Sequence, residues 1–340
     1  MMKRLVLLPL TLAWLFAVTA IAAQSNEEEE KKKGGFTFDV AFGWTATRGN
    51  DVQLGDRTSI TRDELFEEDM VFDPLVMRME NDYMPIVRAG YGWEKWGIKG
   101  EYWQLETGGS IDGSFENSGN GRTEQIRFWD AWQGDFADTT SYSAENDLSL
   151  RSIRVDLTRA FSRNVSLAVG LHAAKYEGSR GENLHEEVGF PFELLFFDEI
   201  EVTQDTQSHI QGWLYGPSIG FHGSASLGKA ARLGYSVSQS LLFGELDQEA
   251  SWSGRTNFLL LPDAGVETAT AERTAVPVTD LRLDLTFDLG DHVSIGGFAL
   301  VSAWVDVPMA PEYSAHLGQW EAPRSTLVFA SFGPVVKVRF

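Results

Sequence analysis

Six histidines and no cysteine bound the chemistry open to this chain. Without thiols there is no disulfide, no cysteine nucleophile and no thiolate metal site. His222-Gly223-Ser224 has a spacing that, in a strand, puts imidazole and hydroxyl on one face, where a shared hydrogen bond could activate the serine for acyl transfer. Asp205 and His209 are the residues placed to polarise a water for peptide hydrolysis, but no Asp-x-Asp pair accompanies them. Glu67-Glu68-Asp69 and Glu199-Ile200-Glu201 supply oxygen ligands without the spacing of a calcium loop, and no phosphate-binding glycine loop occurs. These residues predict no enzyme, no cofactor and no metal centre.

A second set of chemically active side chains is distributed differently. Arg88, Lys99, Glu101, Arg154, Asp156, Arg282, Asp284 and Lys337 each sit between apolar neighbours, one residue away on either side. That is the pattern of a strand with one greasy face and one wet face. Ten such segments run along the chain. The first sets Phe36, Phe38, Val40, Phe42 and Trp44 against Thr37, Asp39, Ala41 and Gly43. The eighth sets Leu281, Leu283, Leu285, Phe287 and Leu289 against Arg282, Asp284, Thr286 and Asp288. In the ninth, residues 293–305, both faces are apolar and the phase is ambiguous. The tenth ends at Phe340, with Val338, Val336, Pro334 and Phe332 on its face.

Short connections follow the second, fourth, sixth and eighth segments, and long ones (roughly 46–83, 104–147, 177–206, 245–276 and 306–324) follow the odd-numbered ones. This alternation predicts an all-β fold: a transmembrane, antiparallel, up-and-down β-barrel with short periplasmic turns and long acidic extracellular loops. Ten strands fit best, and eight to twelve remain open. A β-sandwich would need its outward faces polar.

Composition agrees. The net charge is −21, aromatics make up 12% of the residues, and there are 33 glycines. Mean hydropathy is −0.18, as expected when apolar and polar faces alternate. The acidic excess falls in the long connections, which excludes a nucleic-acid partner and suits either a solvated, anti-aggregation surface or a vestibule that attracts cations. Those connections are also aromatic, with Phe128, Trp129, Trp132 and Phe136 in one and Phe190, Phe192, Phe196 and Phe197 in another. At the start, Lys3 and Arg4 precede an apolar run from Leu5 to Val18 and the Ala20-Ile21-Ala22 site. We expect residues 1–22 to be a signal peptide, 23–35 a charged periplasmic tail and 36–340 the barrel.

Two resemblances extend this reading. A last strand ending in an aromatic resembles the closing strand of Gram-negative outer-membrane barrels, which implies that Phe340 and Val338 form the signal read by the assembly machinery. Trp213-Leu-Tyr-Gly-Pro-Ser-Ile-Gly-Phe followed by Gly234-Tyr-Ser-Val-Ser-Gln-Ser-Leu-Leu-Phe-Gly244 resembles the Legionella-type pore-forming major outer-membrane protein family. Leu150-Arg-Ser-Ile-Arg-Val-Asp-Leu and Val165-Ser-Leu-Ala-Val-Gly-Leu-His-Ala-Ala are similar to that family's preceding hairpin. The resemblance implies a passive channel in the outer membrane, in contact with lipid and lipopolysaccharide. The expected function is a narrow pore for ions or small polar solutes, lined by the eight charged residues. The alternative is a non-conducting surface-binding or structural barrel, with those charges paired across the lumen.

Overall fold

A computed structural model describes residues 35–49, 52–62, 68–116, 122–128, 139–162, 164–189, 199–228, 230–257, 264–314 and 319–340. The expected signal peptide, nearly all of the tail, Glu67 and the aromatic residues 129–136 and 190–197 lie outside these ranges. Fifteen strands follow in chain order: β1 (Gly35–Arg48), β2 (Val52–Arg62), β3 (Glu68–Met77), β4 (Asp82–Trp93), β5 (Trp96–Glu116), β6 (Arg122–Phe128), β7 (Thr139–Ala160) and β8 (Val165–Gly189). They continue as β9 (Glu199–Ser226), β10 (Ala231–Thr256), β11 (Ala264–Asp288), β12 (Val293–Pro308), β13 (Glu312–Ser314), β14 (Gln319–Glu321) and β15 (Arg324–Arg339). Ten of them close into a barrel in the order β1-β15-β12-β11-β10-β9-β8-β7-β5-β4, with every neighbouring pair antiparallel. The other five lie in the connections of the far end, as a three-stranded sheet β3-β2-β6 and the hairpin β13-β14.

Closure pairs the backbone of both would-be edge strands, which is what allows a sheet to stand in lipid. The short turns need backbone that ordinary residues avoid. Glu94 has φ 49°, and Gly228 and Gly290 have φ 114° and 151°, the last two at no side-chain cost.

All ten expected segments are barrel strands, and the nine whose phase was assigned have the expected faces outward. Phe42, Leu171, Ile219 and Phe332 each show half or more of their surface on the barrel exterior. On β9 the outward run from Trp213 to Phe221 rises roughly 26 Å at about 3.3 Å per residue. The apolar band ends sharply at the far end. Outward positions paired across five strands read Tyr102, Ile153, Ala173, Tyr215 and Phe243, and the next row reads Gln104, Arg151, Lys175, Trp213 and Glu245.

The long connections differ from expectation. Much of 104–147, 177–206 and 245–276 continues the ladder, so that β7 to β11 run 22 to 28 residues each. Above the band both faces become mixed, as in Glu177, Ser179 and Gly181 outward against Gly178 and Arg180 inward. The hydropathy alternation therefore disappears while the hydrogen bonding persists. The ambiguous segment resolves as β12, with odd residues outward as far as Ala303 and a bulge between Trp304 and Val307, where Asp306 adopts φ 61°.

Some inward glycines mark close backbone approach. A Cβ on Gly216 would meet the Leu241 carbonyl oxygen at 1.8 Å. Close approach of neighbouring backbones requires glycine there. At Gly234 a Cβ would fit, in ordinary contact with Asp284 and Lys337.

Candidate functional site

The inner positions of the ten strands stack in three layers along the axis, beginning at the turn end. There a cavity of about 370 Å³ is lined by Asp39, Arg88, Lys99, Glu101, Arg154, Asp156, His222, Asp284 and Lys337, with Gly90, Gly234 and small hydroxyl residues between them. Seven of the eight charged residues singled out from the sequence line this cavity. The eighth, Arg282, lies deeper.

Nearly all of these charges are paired across strands. Arg88 reaches Asp39 at 2.6 Å and Asp284 at 3.1 Å. Asp284 also receives Lys337 at 3.1 Å and Arg282 at 2.9 Å. Arg154 is a second hub, touching Glu101 at 2.9 Å, Asp280 at 2.8 Å and Asp156 at 3.3 Å, and donating to Ser238. A buried charge is tolerable only when paired in this way. Arg282 lies with its guanidinium 4.7 Å from the centre of the Phe298 ring, and its two terminal nitrogens have no hydrogen-bond partner.

The second layer holds a polar cluster that sequence inspection missed. His172 Nε2 lies 2.8 Å from Ser152 Oγ and its Nδ1 lies 3.0 Å from Ser240 Oγ, with the ring packed edge-on to Trp304 at 6.1 Å. Its residues are 20 and 68 apart in sequence, so spacing gave no signal. Pairing the fourth and fifth expected segments, which sets Arg154 opposite His172, would have found half of it. All three side chains are almost fully buried, so no substrate reaches this imidazole.

The third layer is apolar and complete. Ala41, Ile86, Trp103, Leu150, Tyr176, Leu214, Leu242, Val278, Trp304 and Phe329, one from each barrel strand, belong to a single buried cluster. Trp103 and Trp304 meet edge-to-face at 6.2 Å in the middle of it. Ring and branched side chains from ten inward faces fill the lumen of a small barrel. The charged cavity and the far end are therefore separated by packed hydrocarbon. This also explains the two apolar faces of β12, whose inner face supplies Phe298, Leu300, Trp304 and Val307 to the layer.

The candidate catalytic residues are not brought together. Asp205 and His209 both point outward on β9, above the apolar band and roughly 13 Å apart along the strand. His209 borders an acidic exterior groove with Asp82, Glu106, Asp147 and Glu177. Among the described residues, no three histidine or acidic side chains are arranged to hold a metal ion. His222 and Ser224 both line the turn-end cavity but form no hydrogen bond with each other, and His222 Nε2 lies 3.9 Å from Asp156. Phe340 and Val338 lie on the outward face at the turn end, Val338 paired with Phe38 and Val293.

No protein-family model and no curated protein sequence matches this chain. Among solved structures, it is similar to the outer-membrane protease OmpT of Escherichia coli at 10% identity and a TM-score of 0.42, over 93% of this chain and 99% of that one. It is also similar to a Pseudomonas aeruginosa FadL homologue (10% identity, 90% of each chain, TM-score 0.27). A third similar structure is the transport unit of the autotransporter AIDA-I from Escherichia coli (8% identity, 96% of this chain and 98% of that one, TM-score 0.24). The barrel assignment rests on the closed hydrogen-bond ladder of this chain itself.

Proposed function

We propose that this protein is an outer-membrane β-barrel with a closed lumen, an anchor that presents its extended outer strands as a binding or structural surface. The observation that carries this reading is the complete apolar layer, to which every barrel strand contributes. Water and ions do not cross packed hydrocarbon without a large desolvation cost. The location follows from the exterior. A continuous girdle of Phe, Leu, Val, Trp and Tyr around a closed barrel is stable only against lipid. The row of Arg151 and Lys175 just above the band then meets the lipopolysaccharide head groups, and Phe340 with Val338 is read by the assembly machinery. The dispersal of Asp205, His209, His222 and Ser224 supports a non-enzymatic role.

The other reading, a narrow passive pore fed by acidic outer strands, is favoured by one observation, the charged cavity at the turn end. That cavity reaches only as far as the His172 and Trp304 layers, so conduction would require the apolar layer to move. Planar-bilayer recording on the refolded, heat-modifiable protein separates the two. The closed-lumen reading expects silence. Discrete cation-preferring openings from folded protein would overturn it.

A further inference from the structure

We propose that the turn-end cavity binds a small oxyanion, a phosphate or carboxylate group, through the ammonium of Lys99. The walls carry Arg88, Lys99, Arg154, Arg232, Lys337 and Arg339. They carry only four carboxylates, those of Asp39, Glu101, Asp156 and Asp284. With Arg282, Asp280 and Asp288, which pair into the same network, seven cations face six side-chain carboxylates, a local positive excess of one in a chain of net charge −21.

The pairing shows where that excess resides. Arg88, Arg154 and Lys337 are held by carboxylates within the lumen, and Arg232 and Arg339 share Asp288 at the rim. Among the described residues, the Lys99 ammonium has no ion-pair or hydrogen-bond partner. Its neighbour across the β5–β7 ladder is Asp156, but that carboxylate is engaged by Ser218 at 2.8 Å and by Arg154. Its neighbour across the β4–β5 ladder is Gly90, which has no side chain to offer it a partner. His222 lines the same space, and its buried Nε2 has no hydrogen-bond partner among the described residues.

An unpaired point charge in a concave, positively biased wall attracts compact anions, and Ser166, Ser224 and Ser236, which line the same cavity, carry hydroxyls able to donate to their oxygens. The cavity lies on the turn-end side of the apolar layer, so this site is independent of whether the barrel conducts.

The test is calorimetric titration of inorganic phosphate, and separately of acetate, into the folded barrel in detergent at constant ionic strength. Lys99→Gln and Lys99→Arg are compared with Lys95→Gln, an exposed lysine of the β4–β5 turn that does not line the cavity. We expect saturable binding by the wild type, at least tenfold weaker in K99Q, largely restored in K99R and unchanged in K95Q. Binding of phosphate alone would identify a phosphate-bearing ligand, and binding of both anions one with a free carboxylate. Absence of saturable binding to wild-type protein that is heat-modifiable, and hence folded, would overturn the proposal. So would equal binding by K99Q.

Discussion

Phe36 and Phe340 close the barrel by exchanging backbone hydrogen bonds. The Phe36 N–H donates to the Phe340 carbonyl at 3.2 Å, the Phe340 N–H donates back at 2.9 Å, and the rings lie 6.0 Å apart. The seam thus runs to the last residue of the chain, whose ring is 75% exposed on the exterior.

A charge at this position separates assembly from stability. Phe340→Asp keeps the backbone exchange, and a charge near the interface costs a folded barrel only about 0–1 kcal/mol. We expect near-normal unfolding of the refolded variant in urea but a several-fold loss of heat-modifiable barrel in membrane fractions. Normal barrel levels in cells would refute an assembly role for the terminal aromatic.

Removing the central ring of the apolar layer is expected to be costly. Trp304 is fully buried between Trp103 and His172, so Trp304→Ala should lower stability by about 3–5 kcal/mol. The double variant W103A/W304A should also admit ions in planar bilayers. Silence from that folded variant would show that other side chains close the lumen.

Arg154 and Arg282 predict opposite outcomes. Arg154→Met strands Glu101, Asp156 and Asp280 and is expected to cost about 3–5 kcal/mol. Arg282→Met leaves Asp284 still held by Arg88 and Lys337 and removes two unpartnered buried nitrogens, so its cost should stay below about 1 kcal/mol. Urea unfolding of both variants checks the order, and equal losses would contradict it.

Far outside the apolar band, Glu187 accepts a hydrogen bond from Thr139 at 2.7 Å and lies 3.4 Å from His185. The Thr139 bond first, and His185 second, hold its carboxyl below the ordinary carboxylate value. A folded value below the unfolded one means that this contact favours folding above the ordinary range, and that the preference fades as pH falls through the lowered value. Thr139→Val should raise the Glu187 titration midpoint seen by carbon NMR. An unchanged midpoint would remove Thr139 as the cause.

The barrel was legible because lipid imposes a strict alternation on the outer face, as in Leu281 to Leu289, where every second residue meets hydrocarbon. The inner charges were legible for the same reason, since Arg282 and Asp284 interrupt that run. What the inner face does was less visible. Whether Arg88 lines a channel or clasps Asp39 depends on which strands meet across the lumen, and that follows from closure rather than from local pattern. The apolar layer was hidden for a related reason. Trp103 and Phe329 read as ordinary irregularities on polar faces until ten strands bring such residues to one level. The outer half of β8 and β9 was lost because, once both faces are mixed, nothing in composition separates strand from loop.

The long hairpin of β8 and β9 has a consequence for how this protein can change. Its residues pair in simple one-to-one register from Val165 opposite Gly223 to Gly189 opposite Glu199. Deleting two residues from each arm above Trp213 shortens the hairpin by one full pleat and returns every remaining side chain to the face it had before. Deleting one residue from a single arm inverts everything beyond it. Inheritance of length in matched pairs would therefore let the outer half grow or recede without disturbing the half that sits in lipid.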